Sequence, residues 1–248
     1  MKKIDINNIN WKKAEKNCYT RKNIKLLNSF KDKYKDKRVF IIGNGPSLTT
    51  EDLDKLTDEV TFATNRIFAL YDKTKWRPSY YFCQDTKTII NNSEEIKKNI
   101  KSQKFMRNLG KRRFPDKNTI FYYISSEQKE GLPQFSSDIT KCVYEGATVS
   151  YSMIQFAVYM GFKEIYLLGM DCNYTITDGK IAKDSYPEGM YDENKSGYLP
   201  EIEYNIKAYK EAKKYTEDHN IKIYNATRGG KLEVFERIDL DKVLRGEK

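Results

Sequence analysis

The chain has 248 residues, 39% apolar and 13% aromatic, which supplies one sizeable buried core and argues against disorder despite 32% charged side chains. Its formal charge of +10 favours acidic partners (phosphorylated metabolites, anionic lipid or nucleic acid) without choosing among them, and a solvated lysine-rich surface gives the same balance. Cys18, Cys83, Cys142 and Cys172 include no CxxC pair, which argues against a zinc or dithiol motif and for a reducing cytoplasm, and no apolar run is long enough for an export signal or a membrane span.

Residues 1–37 are polar and basic, with Trp11, Ala14, Ile24, Leu27 and Phe30 at loosely helical spacing. They predict a helical lead-in that either packs on the domain or touches an anionic membrane or a partner. Residues 38–248 predict a single domain. Arg38–Ile42 is a β-branched apolar run that stops at Gly43, as a buried parallel strand does. Further strands are expected at 60–64, 79–83, 119–124, 164–168 and 221–224. Between them lie helical patterns: 50–56, where Thr50 offers an N-cap hydroxyl, then 86–100, 148–160 with Gly161 as its stop, 207–219 and 239–244. This alternation predicts an α/β fold with a doubly wound, mostly parallel Rossmann-like sheet. Residues 173–199 have no period and read as a lid loop over it.

Gly43-Asn44-Gly45-Pro46-Ser47-Leu48 directly follows the first strand. Two glycines allow a sharp turn and close approach to a ligand, and Ser47 with the helix start behind it supplies donors for an anion. The segment is neither a Walker loop nor a full dinucleotide fingerprint, and a plain glycine turn has the same spacing. Ligands of doubly wound sheets sit beyond the carboxyl ends of the strands. The polar residues predicted there are Asn65, then Gln84 and Asp85, then Asp171 across Gly169, and finally Asn225 and Thr227. Each alone is also an ordinary turn or cap residue. Tyr144-Glu145-Gly146-Ala147-Thr148 opens the apolar helix, so residues 146–148 form a second anion-attracting helix end. Glu145 is placed to act as a base, to bind a sugar hydroxyl or merely to complement the helix dipole. His219, the single histidine, ends a charged helix, where a dipole partner is the ordinary role. Arg228-Gly229-Gly230 is either an anion contact or a plain glycine turn.

Taken in order, GNGPSL from Gly43, TFATN ending at Asn65, YYFCQD ending at Asp85, YEGATVSY from Tyr144, GFKEIYLLGMD ending at Asp171 and IKIYNATRGGKLEVF from Ile221 resemble the bacterial 6-hydroxymethylpterin diphosphokinase MptE-like proteins. The resemblance spans residues 37–235. More distantly, the set is similar to the bacterial sialyltransferases of glycosyltransferase family 42 and to the motility-associated factor glycosyltransferases. It implies a glycosyltransferase-A-like nucleotide-binding domain. Carried over from the sialyltransferases, Asn44, Gly45, Asn65, Ala147 and Thr148 hold a cytidine monophosphate sugar, with Gly169 and Asp171 beside the nucleotide. Gly43, Ser47 and Gly146 complete the expected nucleotide site. Gln84, Asp85, Asn173 and Tyr174 are expected near the donor sugar or phosphate.

Two departures stand out. Asp85 takes the place of a donor-contacting asparagine, and Asn173 that of a tyrosine. No histidine lies between Asn173 and Lys214, so the family's base has no counterpart. Asp85, Glu145 and Asp171 are the catalytic candidates, with Glu201 and Glu203 available from the lid, and Tyr174, Tyr186, Tyr191 and Tyr198 could bind a leaving phosphate. The expected activity is transfer of a sialic-acid-like sugar from a CMP- or other nucleotide-activated donor to a surface glycan or glycoprotein, with no metal or cofactor required. The expected location is the cytoplasm, peripherally at the inner membrane face. The alternative is an ATP- and Mg2+-dependent diphosphokinase. A nucleic-acid binder is disfavoured, because no recognised motif or concentrated basic stripe is present.

Overall fold

The computed structural model describes residues 10–109, 116–195 and 198–247. In chain order the elements are α1 (Trp11–Cys18), α2 (Arg21–Asn28), β1 (Arg38–Ile42), α3 (Thr50–Lys55), β2 (Thr61–Thr64), β3 (Tyr80–Cys83), α4 (Thr86–Asn91), α5 (Ser93–Asn99), β4 (Gln103–Arg107) and β5 (Thr119–Tyr122). Short pairing segments follow, β6 (Ile124–Ser125) with β9 (Val143–Tyr144) and β7 (Gln128–Lys129) with β8 (Leu132–Pro133). The chain continues through α6 (Val149–Tyr159), β10 (Glu164–Leu168), the hairpin of β11 (Ile176–Thr177) and β12 (Lys180–Ile181), α7 (Ile202–Asp218), β13 (Lys222–Asn225), β14 (Glu236–Arg237) and α8 (Leu240–Leu244).

Eight strands form one parallel sheet in the order β14-β13-β10-β1-β2-β3-β4-β5. The chain winds outward from β1 to β5, returns to β10 on the other flank of β1, and winds outward again. This is the α/β, doubly wound Rossmann-like sheet expected from the strand and helix alternation. Alternate residues of β1 enter two cores. Val39 and Ile41 join Phe62, Phe82, Phe105 and the α6 residues Met153 and Phe156 on one face, while Phe40 and Ile42 join Leu53, Tyr81 and Trp76 on the other. Helix α6 is buried nearly all round, and its polar Gln155 is satisfied by Ser136 N (3.0 Å), Tyr144 N (2.9 Å) and Tyr144 O (2.9 Å). Gly161, at φ 88°, closes it with the paired bonds Gly161 N to Val158 O and Phe162 N to Ala157 O.

Four details differ from the expectations. β4 is a full member of the sheet, hidden in the sequence because only Phe105 and Met106 of its five residues are apolar; Lys104 before them is 1% exposed and is paired with Asp116 at 3.0 Å. Thr49 rather than Thr50 caps α3, through a reciprocal box with Asp52. The 86–100 helix is two helices broken at Asn92, and α7 begins at Ile202, earlier than expected. The described part of the lead-in packs on the sheet. Asn23 Nδ2 donates to Phe121 O (2.6 Å) and Asn23 Oδ1 accepts from Phe121 N (3.2 Å), so one side-chain amide covers the open edge of β5. Among the described residues no helix is long and apolar enough to cross a membrane.

Candidate active site

β1 and β10 are neighbours from which the chain winds in opposite directions, so their carboxyl ends open the crevice of the sheet. Their two reversals pack directly on each other. Gly43 N donates to Leu168 O (2.8 Å) and Gly45 N to Gly169 O (2.9 Å). A Cβ on Gly45 would run into the Asp171 carboxylate and lie 2.8 Å from Gly169 O. These glycines are required by chain-to-chain contact before any ligand arrives. Asp171, 7% exposed, accepts from Ser47 Oγ (2.8 Å) and Ser47 N (3.3 Å). Burial pushes its carboxyl above the ordinary value, and the Ser47 bonds oppose that shift. Ser47, expected to face an anion, is thus spent on Asp171, and it is not among the residues lining the cleft.

The cleft has a volume of about 510 Å³ and crosses the ends of five strands. Gly169 and Asp171 line it beyond β10, Gly43, Asn44 and Gly45 beyond β1, Asn65 beyond β2, and Gln84 and Asp85 beyond β3. Glu145, Ala147 and Thr148 enter from the start of α6, and Asn173 and Tyr174 from the lid. Gly146 does not line it; a Cβ there would lie 2.6 Å from the Tyr151 ring and 2.7 Å from Ala208, so this glycine serves helix packing. Asn225 and Thr227 are also outside the cleft lining, and bond to each other, to Leu232 O and to Met170 N. His219 lies on the far end of α7, stacked on Tyr215, in the ordinary role.

Three non-glycine residues of the cleft sit in the left-handed region: Asn65 (φ 52°), Ala147 (φ 52°) and Cys172 (φ 48°). Each costs about 1 kcal/mol or more, and such strain collects where a ligand surface is being shaped. The backbone of Asn65 is held by Tyr81 Oη, which donates to Asn65 O at 2.7 Å. Thr148 stands at the N-cap position of α6, but its side chain bonds none of the helix's backbone N–H groups. Instead its hydroxyl meets Ser150 Oγ (2.7 Å), which meets the buried Tyr209 hydroxyl (2.5 Å). The first N–H groups of α6 thereby remain available to an anion.

Toward β3 and β4 the lid covers the strand ends. Asp85 Oδ1 caps α4 by accepting from Thr88 N (2.6 Å), and Oδ2 accepts from the lid amide Tyr198 N (2.9 Å). Arg66 Nη1 donates to Met190 O (2.6 Å), with Asp192 3.7 Å from Nη2. Gln84 Oε1 accepts from Ser152 Oγ (2.6 Å) and Tyr122 Oη (3.4 Å). Glu145 and Arg107 face each other at 3.8 Å, both partly exposed. Of the three catalytic candidates, Asp171 and Asp85 are committed to hydrogen bonds that hold loops, whereas Glu145 stands at the cleft surface beside a cation.

Sequence reasoning missed Arg66, Arg107, Tyr204 and Tyr209, which also line the cleft. For Arg66 and Arg107 the available signal was position alone, one residue past the strand-end Asn65 and at the last residue of an unrecognised strand. The charges lining the cleft, among the described residues, are two guanidiniums (Arg66, Arg107) against five carboxylates (Asp85, Glu145, Asp171, Asp192, Glu201). The +10 of the whole chain therefore lies elsewhere on the surface, and attraction of an anion here falls to backbone N–H groups, the start of α6 and these two arginines.

Sheet order and strand-end cleft define a doubly wound α/β domain with its binding crevice at the switch point. The chain belongs to the 6-hydroxymethylpterin diphosphokinase MptE-like family, whose model matches residues 12–177. Its fold is similar to that of the MAf glycosyltransferase from Magnetospirillum magneticum AMB-1, at 15% identity and a TM-score of 0.56. That match covers 85% of this chain and 35% of the other, so this chain spans about a third of that protein's length. The sialyltransferase CstII from Campylobacter jejuni, solved with a substrate analogue, cytidine-5'-monophosphate, matches at 18% identity over 82% of this chain and 85% of that one, with a TM-score of 0.46. The monofunctional alpha-2,3-sialyltransferase Cst-I of the same organism matches at 17% identity over 77% and 75%, with a TM-score of 0.43. Neither score is high enough to assign residue roles. No curated protein matches the chain.

Proposed function

We propose that the protein is a glycosyltransferase that moves a sugar, of the acidic sialic-acid-like class, from a CMP-type donor to a glycan or glycoprotein hydroxyl. The observation that carries this is the meeting of Asn44, Asn65, Thr148 and Asp171 on one cleft at the point where the winding of the sheet reverses. The nucleotide lies across the β1 and β10 reversals, its phosphate on the uncapped start of α6, and the sugar extends toward β3 and β4. There the acceptor oxygen bonds to the anomeric carbon as the bond from that carbon to the phosphate oxygen breaks. The acceptor proton passes to Glu145 or to the departing phosphate, and the nucleotide leaves as its monophosphate. No resident cofactor is needed.

Cytidine nucleotides test the donor. CMP or CDP at about 100 times its dissociation constant should add about 2.7 kcal/mol to stability, which for a chain of this size raises the melting temperature by about 5–10 °C. No response to any cytidine nucleotide would remove the donor assignment.

The family match favours a second reading, a diphosphokinase with ATP and Mg2+. Its metal would fall to the buried or part-buried cleft carboxylates Asp85 and Asp171. They do not fit. One follows β3 and the other β10, strands three spacings or about 14 Å apart in the sheet, and both carboxylates are engaged by loop hydrogen bonds. Among the described residues no three His, Cys, Asp or Glu side chains gather as a cation site. Mg2+-dependent ATP turnover with a pterin would reverse the order of the two readings.

A further inference from the structure

Two buried polar atoms in the cleft lack a partner among the described residues: Arg66 Nε and Asn44 Oδ1. They belong to residues at the ends of adjacent strands, and Asn44 Nδ2 bonds Thr64 O (3.1 Å) two residues before Arg66. Buried polar groups are nearly always paired, and leaving one dry is costly, so an unpaired donor and an unpaired acceptor in one cleft ask for a common partner.

The guanidinium geometry says what that partner presents. Nη1 is committed to the lid carbonyl of Met190. The opposite edge, Nε with Nη2, carries no hydrogen bond; its nearest charge is Asp192, whose Oδ2 stands 3.7 Å from Nη2, too far to bond. That edge is the planar fork that accepts a carboxylate or phosphate bidentately. Asp192, partly exposed, stands as a loose internal occupant of the place.

Resting on the cytidine-donor reading, we propose that the Nε–Nη2 edge of Arg66 binds an oxyanion of the donor, displacing Asp192, while Nη1 keeps hold of Met190 O. Arg66 thus joins the bound donor to the lid. Asn44 Oδ1 accepts a hydroxyl of the same ligand. The oxyanion is the nucleotide phosphate or the sugar carboxylate, and the two are separable.

The test is calorimetric titration of wild type, Arg66→Lys and Asp192→Asn with cytidine, CMP, CMP-N-acetylneuraminic acid and inorganic pyrophosphate. Lysine keeps the charge and removes the fork. It should weaken binding by roughly tenfold or more. If the phosphate is read, both CMP and the CMP-sugar weaken while cytidine does not; if the carboxylate is read, the CMP-sugar alone weakens. Asp192→Asn leaves Arg66 in place and should tighten whichever ligand the arginine reads, which keeps the test decisive should the Arg66 variant fold poorly. Ligand should also protect residues 186–195 from proteolysis in wild type and not in Arg66→Lys. Dissociation constants within about twofold of wild type for both variants would overturn the proposal. Indifference of wild type to cytidine compounds, with Arg66-dependent binding of pyrophosphate, would remove the cytidine donor and keep the oxyanion site. No binding of either would remove both.

Discussion

The two ends of the cleft are built differently. At the β1 and β10 end the chain packs on itself: two glycine reversals touch, Asp171 fastens Ser47, and Arg228 Nη1 reaches across to the 2% exposed Asp52 at 2.8 Å. At the β2 to β4 end Met190 anchors the lid in the core, and around it the lid is held by separate polar contacts, from Arg66 to Met190 O, from Lys73 to Glu188 O and from Tyr198 N to Asp85, while its Tyr198 and Leu199 are about half exposed. The comparison teaches that one end is shaped in advance and the other is held by contacts weak enough to exchange for a ligand. On the proposed reading, the rigid end holds the nucleotide and the exchangeable end the sugar and its acceptor.

The largest expected effect is at the rigid end. Gly45→Ala places a methyl group into the Asp171 carboxylate, with Gly169 O behind it. A cost of about 3 kcal/mol is expected, read from the urea midpoint at unchanged slope. A loss under about 1 kcal/mol would mean that the reversals have slack and that the two ends do not differ in kind. Next in size is Glu145→Gln. If Glu145 takes the acceptor proton, the transfer rate should fall by roughly a hundredfold, about 2.7 kcal/mol of barrier, with the nucleotide dissociation constant unchanged. A rate close to wild type would assign the proton to the departing phosphate.

Arg228→Ala probes the support beneath the rigid end. Burial pushes the Asp52 carboxyl up, but the Arg228 guanidinium and the Thr49 hydroxyl together hold it below its ordinary 3.8. A depressed carboxyl contributes stability that is present above its unfolded pKa and lost as the pH falls through the folded one. Removing Arg228 leaves a buried anion without its cation. Because Arg228 is itself half exposed, the cost should be nearer about 2 kcal/mol than the larger loss of a fully buried pair. The gap between wild type and variant should be widest at neutral pH, narrow on acidification as Asp52 is protonated in the variant, and close only below its ordinary 3.8, where Asp52 is protonated in the wild type as well. A gap independent of pH would show that Arg228 acts through its bond to Ser47 O instead.

The same contrast explains what the sequence could disclose. Four strands announce themselves, since β1 and β10 at the rigid end and β2 and β3 at the other are apolar runs stopped by Gly, Asn or Gln-Asp, and parallel strands buried on both faces must read that way. Roles inside the motifs were less legible. Ser47 and Gly146 carry the right chemistry at the right spacing, yet the first serves Asp171 and the second packs on Tyr151, because motif spacing does not record which neighbour the fold brings up. At the exchangeable end the strand-end polar residues Asn65, Gln84 and Asp85 were legible, but the strand and the cations beside them were not. β4 was masked by having only two apolar residues, and the charge of its Lys104 is neutralised by Asp116 in space rather than in sequence. In a chain with 45 lysines and arginines, nothing local marks Arg66 or Arg107 as different from a solvated surface cation.

The smallest expected effect on global stability, and the one that bears most directly on the exchangeable end, is Asp85→Asn. The carboxylate divides its oxygens, one to Thr88 N at the start of α4 and one to Tyr198 N on the lid. Asparagine is as good an N-cap as aspartate, so its one carbonyl oxygen can keep the helix start. What remains toward the lid is an NH2 group facing an N–H, which turns an attraction into a mismatch. Global unfolding free energy should therefore change by about 1 kcal/mol at most. The amide of Tyr198 should nevertheless exchange with solvent up to roughly tenfold faster, since local opening reads the lost bond directly while global unfolding dilutes it. If Tyr198 exchange is unchanged, the lid is fastened around Met190, by Arg66 and Lys73, and not through Asp85. If activity falls far beyond what lid opening explains, with exchange altered as expected, Asp85 also touches the reacting groups, and the division between holding and reacting carboxylates would have to be redrawn.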